Sequence, residues 1–147
     1  MLAGVDGHKR HQGAVALSLS GFFVRGAASL TIVAIMADNG FMLGEHGETG
    51  KNVLYEQAIH VPLAIAGPGV PVGVRPGIVS LADVAPTVAE LAGVAHPPVD
   101  GRAIFATATR NYVPIEAWDC TGKRRRDSKT VTCGTEPTLV YDLVADP

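Results

Sequence analysis

A carboxylate, an amide and an ammonium group lie near one another in the first half of this 147-residue sequence. Asp38 and Asn39 directly follow residues 31–36, an apolar and β-branched run that predicts a fully buried strand. Ligands bind beyond the carboxyl ends of strands in an open α/β sheet, so both side chains are candidate ligands. Their oxygens are hard donors, which suit Ca²⁺ or Mg²⁺ better than soft metals.

The ammonium group belongs to Lys51, which follows a glycine-rich loop over residues 41–50. Glycine adopts positive φ angles and lets a backbone approach a ligand closely. We expect Lys51 at the start of a helix over residues 53–58, where free backbone N–H groups favour an anion. His46 lies inside the loop, where it is expected either to contact a substrate or to form a hydrogen bond within the loop.

The elements that position these groups alternate between strand and helix. Thr49 or Asn52 is the predicted cap of the first helix. Glu56 and His60 are expected to pair at the end of that helix, and residues 60–66 predict a second strand.

A second helix is predicted to end near Leu91, before Gly93. Because Pro86 is tolerated only in a first turn, Asp83 is a better cap than Ser80. The predicted apolar face has members at i, i+4 and i+7, namely Val84, Val88 and Leu91.

The last part of the chain predicts a small antiparallel sheet. Its predicted strands cover residues 111–118, 129–132 and 139–143. We therefore divide the sequence into an atypical N-terminal segment at 1–30, an α/β region at 31–102 and a C-terminal β subdomain at 103–147.

Composition excludes several function classes. A hydrophobic fraction of 47% with 18% charged residues predicts a globular domain. The net charge of −2 and the 5% aromatic content give no reason to expect nucleic acid binding. Residues 123–126 are all basic, and we interpret them as a solvated hairpin tip or, alternatively, as a contact for an anion.

Two further features leave alternatives open. Cys120 and Cys133 allow one disulfide across a hairpin or two free thiols. Residues 1–30 combine basic, apolar and small residues, as a secretion signal does, but a truncated, shifted or rearranged start fits them better. Their apolar part is too short for a membrane span, and localisation is compatible with the cytoplasm, the periplasm or secretion.

An ordered series of short motifs resembles one block of the sulfatase family. It covers about half of the chain well, from residue 31 to about residue 102. The motifs are DNG at 38–40, GEHG at 44–47, GK at 50–51, YE at 55–56, VPL at 61–63, GPG at 67–69, SLADVAPT at 80–87 and VYDL at 140–143.

The resemblance implies a fold and a chemistry. The fold would be α/β, with part of an alkaline-phosphatase-like sheet and its helices before the small antiparallel β subdomain. The activity would be hydrolysis of a sulfuric ester of a small molecule or glycan. Asp38 and Asn39 would be ligands of a divalent cation, usually Ca²⁺ with Mg²⁺ as the alternative, and Lys51 would bind the sulfate and act in catalysis, with His46 as a possible substrate contact.

The sequence departs from the family pattern at the nucleophile. The family makes formylglycine from the Cys or Ser of a C/S-x-P-x-R motif, and no such motif occurs here. The family's early Asp pair also has no counterpart, while Ala37 and His60 stand where Ser or Thr and Arg are usual. We therefore interpret the chain as the C-terminal portion of a sulfatase, inactive unless another chain completes it.

Two other functions fit the same residues. A phosphonate or phosphate monoester hydrolase is a near relative with the same fold. A degenerate domain that binds an anion or a partner without catalysis is the alternative from another class. A partial sheet would also expose an edge strand, which favours self-association.

Overall fold

A computed structural model of the chain describes residues 30–106 and 110–146. Apart from Leu30, the predicted N-terminal segment at 1–30 lies outside the described residues. The described part combines helices with antiparallel sheets, so the chain mixes α and β structure as predicted. None of its helices has both the length and the hydropathy that crossing a membrane requires.

The strand before Asp38 is β1, Val33–Met36, and it pairs antiparallel with β4, Leu63–Ala66. The prediction of a fully buried strand is wrong, since Met36 is 50% exposed. The connection over residues 37–62 leaves β1 at its carboxyl end and returns to the same end, so Met36 faces Leu63. Among the described residues β4 is the sole partner of β1, and one face of the strand stays open.

The loop after β1 is a small hairpin followed by a single helical turn. Strands β2, Met42–Leu43, and β3, Thr49–Gly50, pair antiparallel. Helix α1 is only Glu56–Ile59, with Tyr55 at its N-cap position and no side-chain cap. The predicted cap at Thr49 or Asn52 is therefore wrong, and Lys51 precedes the helix rather than starting it.

The second helix is α2, Val84–Leu91, preceded by a 3₁₀ turn at Leu81–Asp83. Asp83 holds the N-cap position of α2, as predicted, but its side chain makes no capping hydrogen bond there. Ser80 caps the 3₁₀ turn, where Ala82 N donates to Ser80 Oγ at 3.3 Å. Gly93 ends the helix at φ 66°, as predicted. The predicted apolar face is wrong at Val88, which is 36% exposed, while Thr87 is buried instead.

The C-terminal sheet has four antiparallel strands in the order β5-β6-β7-β8. Its small antiparallel architecture was predicted, but β6 was missed because its polar residues were assigned to a hairpin tip. Cys120 faces Cys133 across the β6–β7 pair, and the two form a disulfide. The strands are β5, Val113–Ala117; β6, Cys120–Arg124; β7, Ser128–Cys133; and β8, Leu139–Asp142.

Candidate active site

The turn after β1 fixes the orientation of Asp38 and Asn39. Asn39 N donates to Asp38 Oδ1 at 2.9 Å, and Asn39 Nδ2 donates to Gly40 O at 2.8 Å. These local hydrogen bonds use the side-chain nitrogen of Asn39 and leave its side-chain oxygen, Oδ1, for other partners. The sequence places a polar pair at the tip of a strand, and the turn holds both side chains there.

Gly40 packs this turn directly against α1. Gly40 N donates to Ala58 O at 2.8 Å. A Cβ at position 40 would lie 1.9 Å from Gln57 O, so only glycine allows this approach. The backbone of α1 therefore sets the position of the Asp38–Asn39 turn.

Lys51 reaches across the hairpin to the same turn. Its Nζ donates to Asn39 Oδ1 at 3.0 Å, over a separation of 12 residues. Asp38, Asn39 and Lys51 all line one pocket of about 250 Å³. The structure thus brings together three of the four predicted site residues. The other lining residues are Val53, Leu54, Ala58 and Ile59 around α1, and Ile115, Glu116 and Ala117 of β5.

The donor set in this pocket matches a hard cation in type but not in number. Asp38 offers a carboxylate and Asn39 an amide oxygen, whereas Ca²⁺ takes about 6–8 oxygens. No group of three or more His, Cys, Asp or Glu side chains is arranged to hold a metal within residues 30–106 and 110–146. The pair can supply part of a cation site, and further ligands are needed to complete one.

His46, the fourth predicted residue, lies outside this pocket. Its backbone has a φ of 55°, and its ring stacks on Tyr55 with centroids 4.2 Å apart and planes 9° from parallel. The exposed ring therefore contacts an aromatic side chain next to α1 rather than Asn39 or Lys51. Its role toward a substrate stays a prediction.

Glu56 is the centre of a charge cluster that sequence analysis missed, apart from its pairing with His60. Arg124 donates to Glu56 Oε2 from Nη2 at 2.8 Å and from Nε at 3.2 Å. Lys129 Nζ donates to Glu56 Oε1 at 3.2 Å. His60 Nδ1 lies 3.6 Å from Oε2, as predicted for that pair. Separations of 68 and 73 residues carry no local sequence signal.

Burial and charge act in opposite directions on this cluster. Burial alone would raise the pKa of Glu56, but the hydrogen bonds and charges of Arg124 and Lys129 outweigh burial and lower this pKa from its ordinary value. Burial lowers the pKa of Lys129 despite the opposing effect of Glu56. Lys129 is only 1% exposed, so its ammonium depends on this carboxylate.

Comparison with known proteins identifies the family of this chain. The sulfatase family model matches residues 25–94, which include Asp38, Asn39 and Lys51. The choline-sulfatase of Rhizobium meliloti is 33% identical in an alignment 136 residues long that covers 80% of this chain. This chain belongs to the sulfatase family. The arylsulfatase K of Mus musculus is 44% identical to this sulfatase-family chain over 69 residues, or 46% of its length.

The matched relatives are much longer than this sulfatase-family chain. The alignments cover 26% of choline-sulfatase and 12% of mouse arylsulfatase K. A solved structure of BT4656 in complex with its substrate, D-glucosamine-2-N,6-O-disulfate, is similar over 88% of this chain and 30% of the other. The TM-score is 0.68 and the sequence identity is 26%. Because the similarity covers 88% of this chain, it includes parts of both the α/β region and the C-terminal sheet.

Proposed function

We propose that this chain carries one wall of a metal-dependent sulfuric ester hydrolase site. Lys51 binds the sulfate group, and Asp38 and Asn39 hold a divalent cation. The observation that supports this proposal is the 3.0 Å contact between Lys51 Nζ and Asn39 Oδ1 inside a shared pocket. Family membership and the names of the relatives favour the same hydrolase class.

Lys51 is suited to an anion because its charge is not neutralised nearby. The ammonium has three N–H donors, of which one goes to Asn39. No carboxylate within the described ranges forms an ion pair with it. Its remaining donors can bind sulfate oxygens, and a fixed positive charge stabilises the negative charge that develops on them.

Asp38 and Asn39 would hold the cation through one carboxylate and one amide oxygen. Ca²⁺ is the better candidate, since Mg²⁺ requires near-octahedral geometry that two oxygens on one turn do not impose. When bound, such a cation supplies Lewis-acid stabilisation of a sulfuryl oxygen. Two ligands are a small part of its shell, so we expect weak affinity.

The nucleophile must come from outside this sequence. No C/S-x-P-x-R motif is encoded, and both cysteines are joined in a disulfide. We therefore expect the chain to bind its ligands without turning over a sulfate ester by itself. A polypeptide that supplies the formylglycine could pack beside β1, which among the described residues pairs with β4 alone. The open side of β1 would also allow two copies of the chain to associate. In this proposal β1 and β4 are part of an alkaline-phosphatase-like sheet.

The substrate class follows from the relatives. One relative is named for choline sulfate hydrolysis, and the solved neighbour holds a sulfated glucosamine as its substrate. Sulfate esters of a small alcohol or a sugar are therefore the proposed ligands. Because the sequence lacks the nucleophile motif, the second candidate function is that of a non-catalytic domain that binds such an anion.

Removing the Asp38 carboxylate tests the cation site. We expect Ca²⁺ to raise the melting temperature of the wild type, since tenfold excess over Kd stabilises by about 1.4 kcal/mol. Asp38→Ala should abolish this shift when melting is measured with and without Ca²⁺. Asp100→Ala, at an exposed aspartate, is the matched control and should keep it. An unchanged shift in Asp38→Ala would remove Asp38 from the ligands.

A further inference from the structure

One carboxylate joins the α/β region to the C-terminal sheet. Glu56 lies in the first turn of α1, and both of its oxygens accept hydrogen bonds from the sheet. Arg124 comes from the end of β6 and Lys129 from β7. The side chains of Glu56, Arg124 and Lys129 are 16%, 19% and 2% exposed, so solvent screens these contacts only weakly. We call these three residues the Glu56 clamp.

The clamp has no substitute acid in the described part of the chain. Lys129 forms its ion pair with Glu56 and lies 4.8 Å from the centroid of the Tyr141 ring. Arg124 adds hydrogen bonds to the carbonyl oxygens of Arg125 and Arg126, which fix its guanidinium. Losing Glu56 would therefore leave a buried ammonium without a counter-charge.

The clamp is connected to the candidate site through the backbone of α1. Helix α1 is a single turn, so a displacement of Glu56 moves Ala58 with it. Ala58 O accepts the hydrogen bond from Gly40 N, and Gly40 follows Asp38 and Asn39 directly. Tyr55, next to Glu56, also stacks on His46 and meets the Tyr141 ring edge-on at 6.4 Å.

The opposite wall of the pocket is tied to the same clamp. Val113 of β5 pairs with Arg124 of β6. Three residues of β5, Ile115, Glu116 and Ala117, line the pocket that holds Asn39 and Lys51. Glu56, on the helix that supplies Ala58 and Ile59 to the pocket, thus binds cations of the sheet whose strand β5 also lines it.

From this arrangement we infer that Glu56 is a positioning residue for the site. The Glu56 clamp holds α1 against the C-terminal sheet, and α1 holds the Asp38–Asn39 turn through Gly40. The inference rests on the proposed function for its catalytic meaning, since Glu56 itself does not line the pocket. It predicts that the Asp38–Asn39 turn opens more readily when the contacts of the Glu56 clamp are lost, whereas distant parts of the fold keep their stability.

Amide hydrogen exchange of the full chain tests this inference without any ligand. In Glu56→Gln the Gly40 amide should exchange at least about tenfold faster than in the wild type, because its opening no longer requires breaking the clamp. The Ala92 amide, which donates to Val88 O at 2.9 Å in α2, is the internal reference and should change less. Val131→Ala, which truncates a buried side chain in β7, is the control for general destabilisation.

A milder variant keeps the test decisive if Glu56→Gln does not fold. Arg124→Lys retains the charge but loses the two-point contact of the guanidinium with Glu56. It should accelerate Gly40 exchange selectively, by at least about threefold. The inference is overturned if the Gly40 amide exchanges at its wild-type rate in both clamp variants. It is also overturned if the Gly40 and Ala92 amides accelerate equally in those variants, which is the pattern expected of general destabilisation in Val131→Ala.

These outcomes separate the clamp from the proposed function. If the wild type binds neither Ca²⁺ nor sulfate, the proposed function fails, and selective exchange at Gly40 still supports the clamp. If the wild type binds both ligands and Gly40 exchange does not respond to either variant, the clamp fails and the proposed function stands.

Discussion

Gly40→Ala is expected to detach the Asp38–Asn39 turn from α1. The new Cβ would lie 1.9 Å from Gln57 O and 2.9 Å from its carbonyl carbon, and backbone atoms cannot give way as a flexible side chain does. We expect the free energy of unfolding to fall by about 3 kcal/mol, at the upper end for overpacking. The Ca²⁺-dependent melting shift should disappear with it. Urea denaturation and melting with Ca²⁺ measure the two effects.

A glycine in open space provides the control for Gly40→Ala. No atom lies within 4 Å of a Cβ built at Gly77, and its φ is not in the left-handed region. Gly77→Ala should change stability by no more than about 0.5–1 kcal/mol, and any change should stabilise by reducing the entropy of the unfolded chain. If Gly40→Ala behaves like Gly77→Ala, the close packing of the turn on α1 is wrong.

Asp83→Ala is expected to be the most destabilising single substitution outside the site. Asp83 is 2% exposed, and its carboxylate accepts hydrogen bonds from Ser80 N and Arg102 N, each at 2.8 Å. It also forms an ion pair with Arg110, whose side chain is 14% exposed. Removing it would leave several buried donors unpaired, and we expect a loss of about 3–5 kcal/mol in urea denaturation.

Two comparison variants separate charge from shape at position 83. Asp83→Asn keeps one acceptor oxygen, for either Ser80 N or Arg102 N, but loses the charge opposite Arg110. Its loss of stability should therefore be smaller than that of Asp83→Ala. Asp100→Ala removes an exposed aspartate and should stay within about 0.5 kcal/mol of the wild type. An Asp83→Ala variant as stable as Asp100→Ala would contradict the buried network.

The local parts of the structure could be predicted because they depend on neighbouring residues. The apolar run before Asp38 forms a strand, the polar pair lies at its tip, and Gly93 ends α2. Lys51 reaches Asn39 because the hairpin between them is short. The small C-terminal sheet also follows from alternating runs and turns.

The predictions that failed depended on packing or direction. The apolar run could not reveal that β1 pairs antiparallel with β4 and keeps one open face. Helix α1 starts only at Glu56, and Lys51, Val53 and Leu54 before it line the pocket, so the upstream cap candidates have no helix to cap. Asp83 holds the predicted N-cap position of α2, but local sequence could not show that its carboxylate binds Arg102 N and Arg110, which lie 19 and 27 residues away.

The most direct measurement of the central claim is a titration of the full chain with inorganic sulfate in the presence of Ca²⁺. Chemical shifts of the Asn39 and Gly40 amides report binding at the turn. We expect saturable shifts in the wild type and in Lys123→Gln, which removes an exposed lysine outside the pocket. Lys51→Gln should weaken sulfate binding by about tenfold or more, since a hydrogen bond to a charged group contributes about 1.5–3 kcal/mol. Equal affinity in Lys51→Gln and the wild type, or no shift at Asn39 in either, would contradict the account.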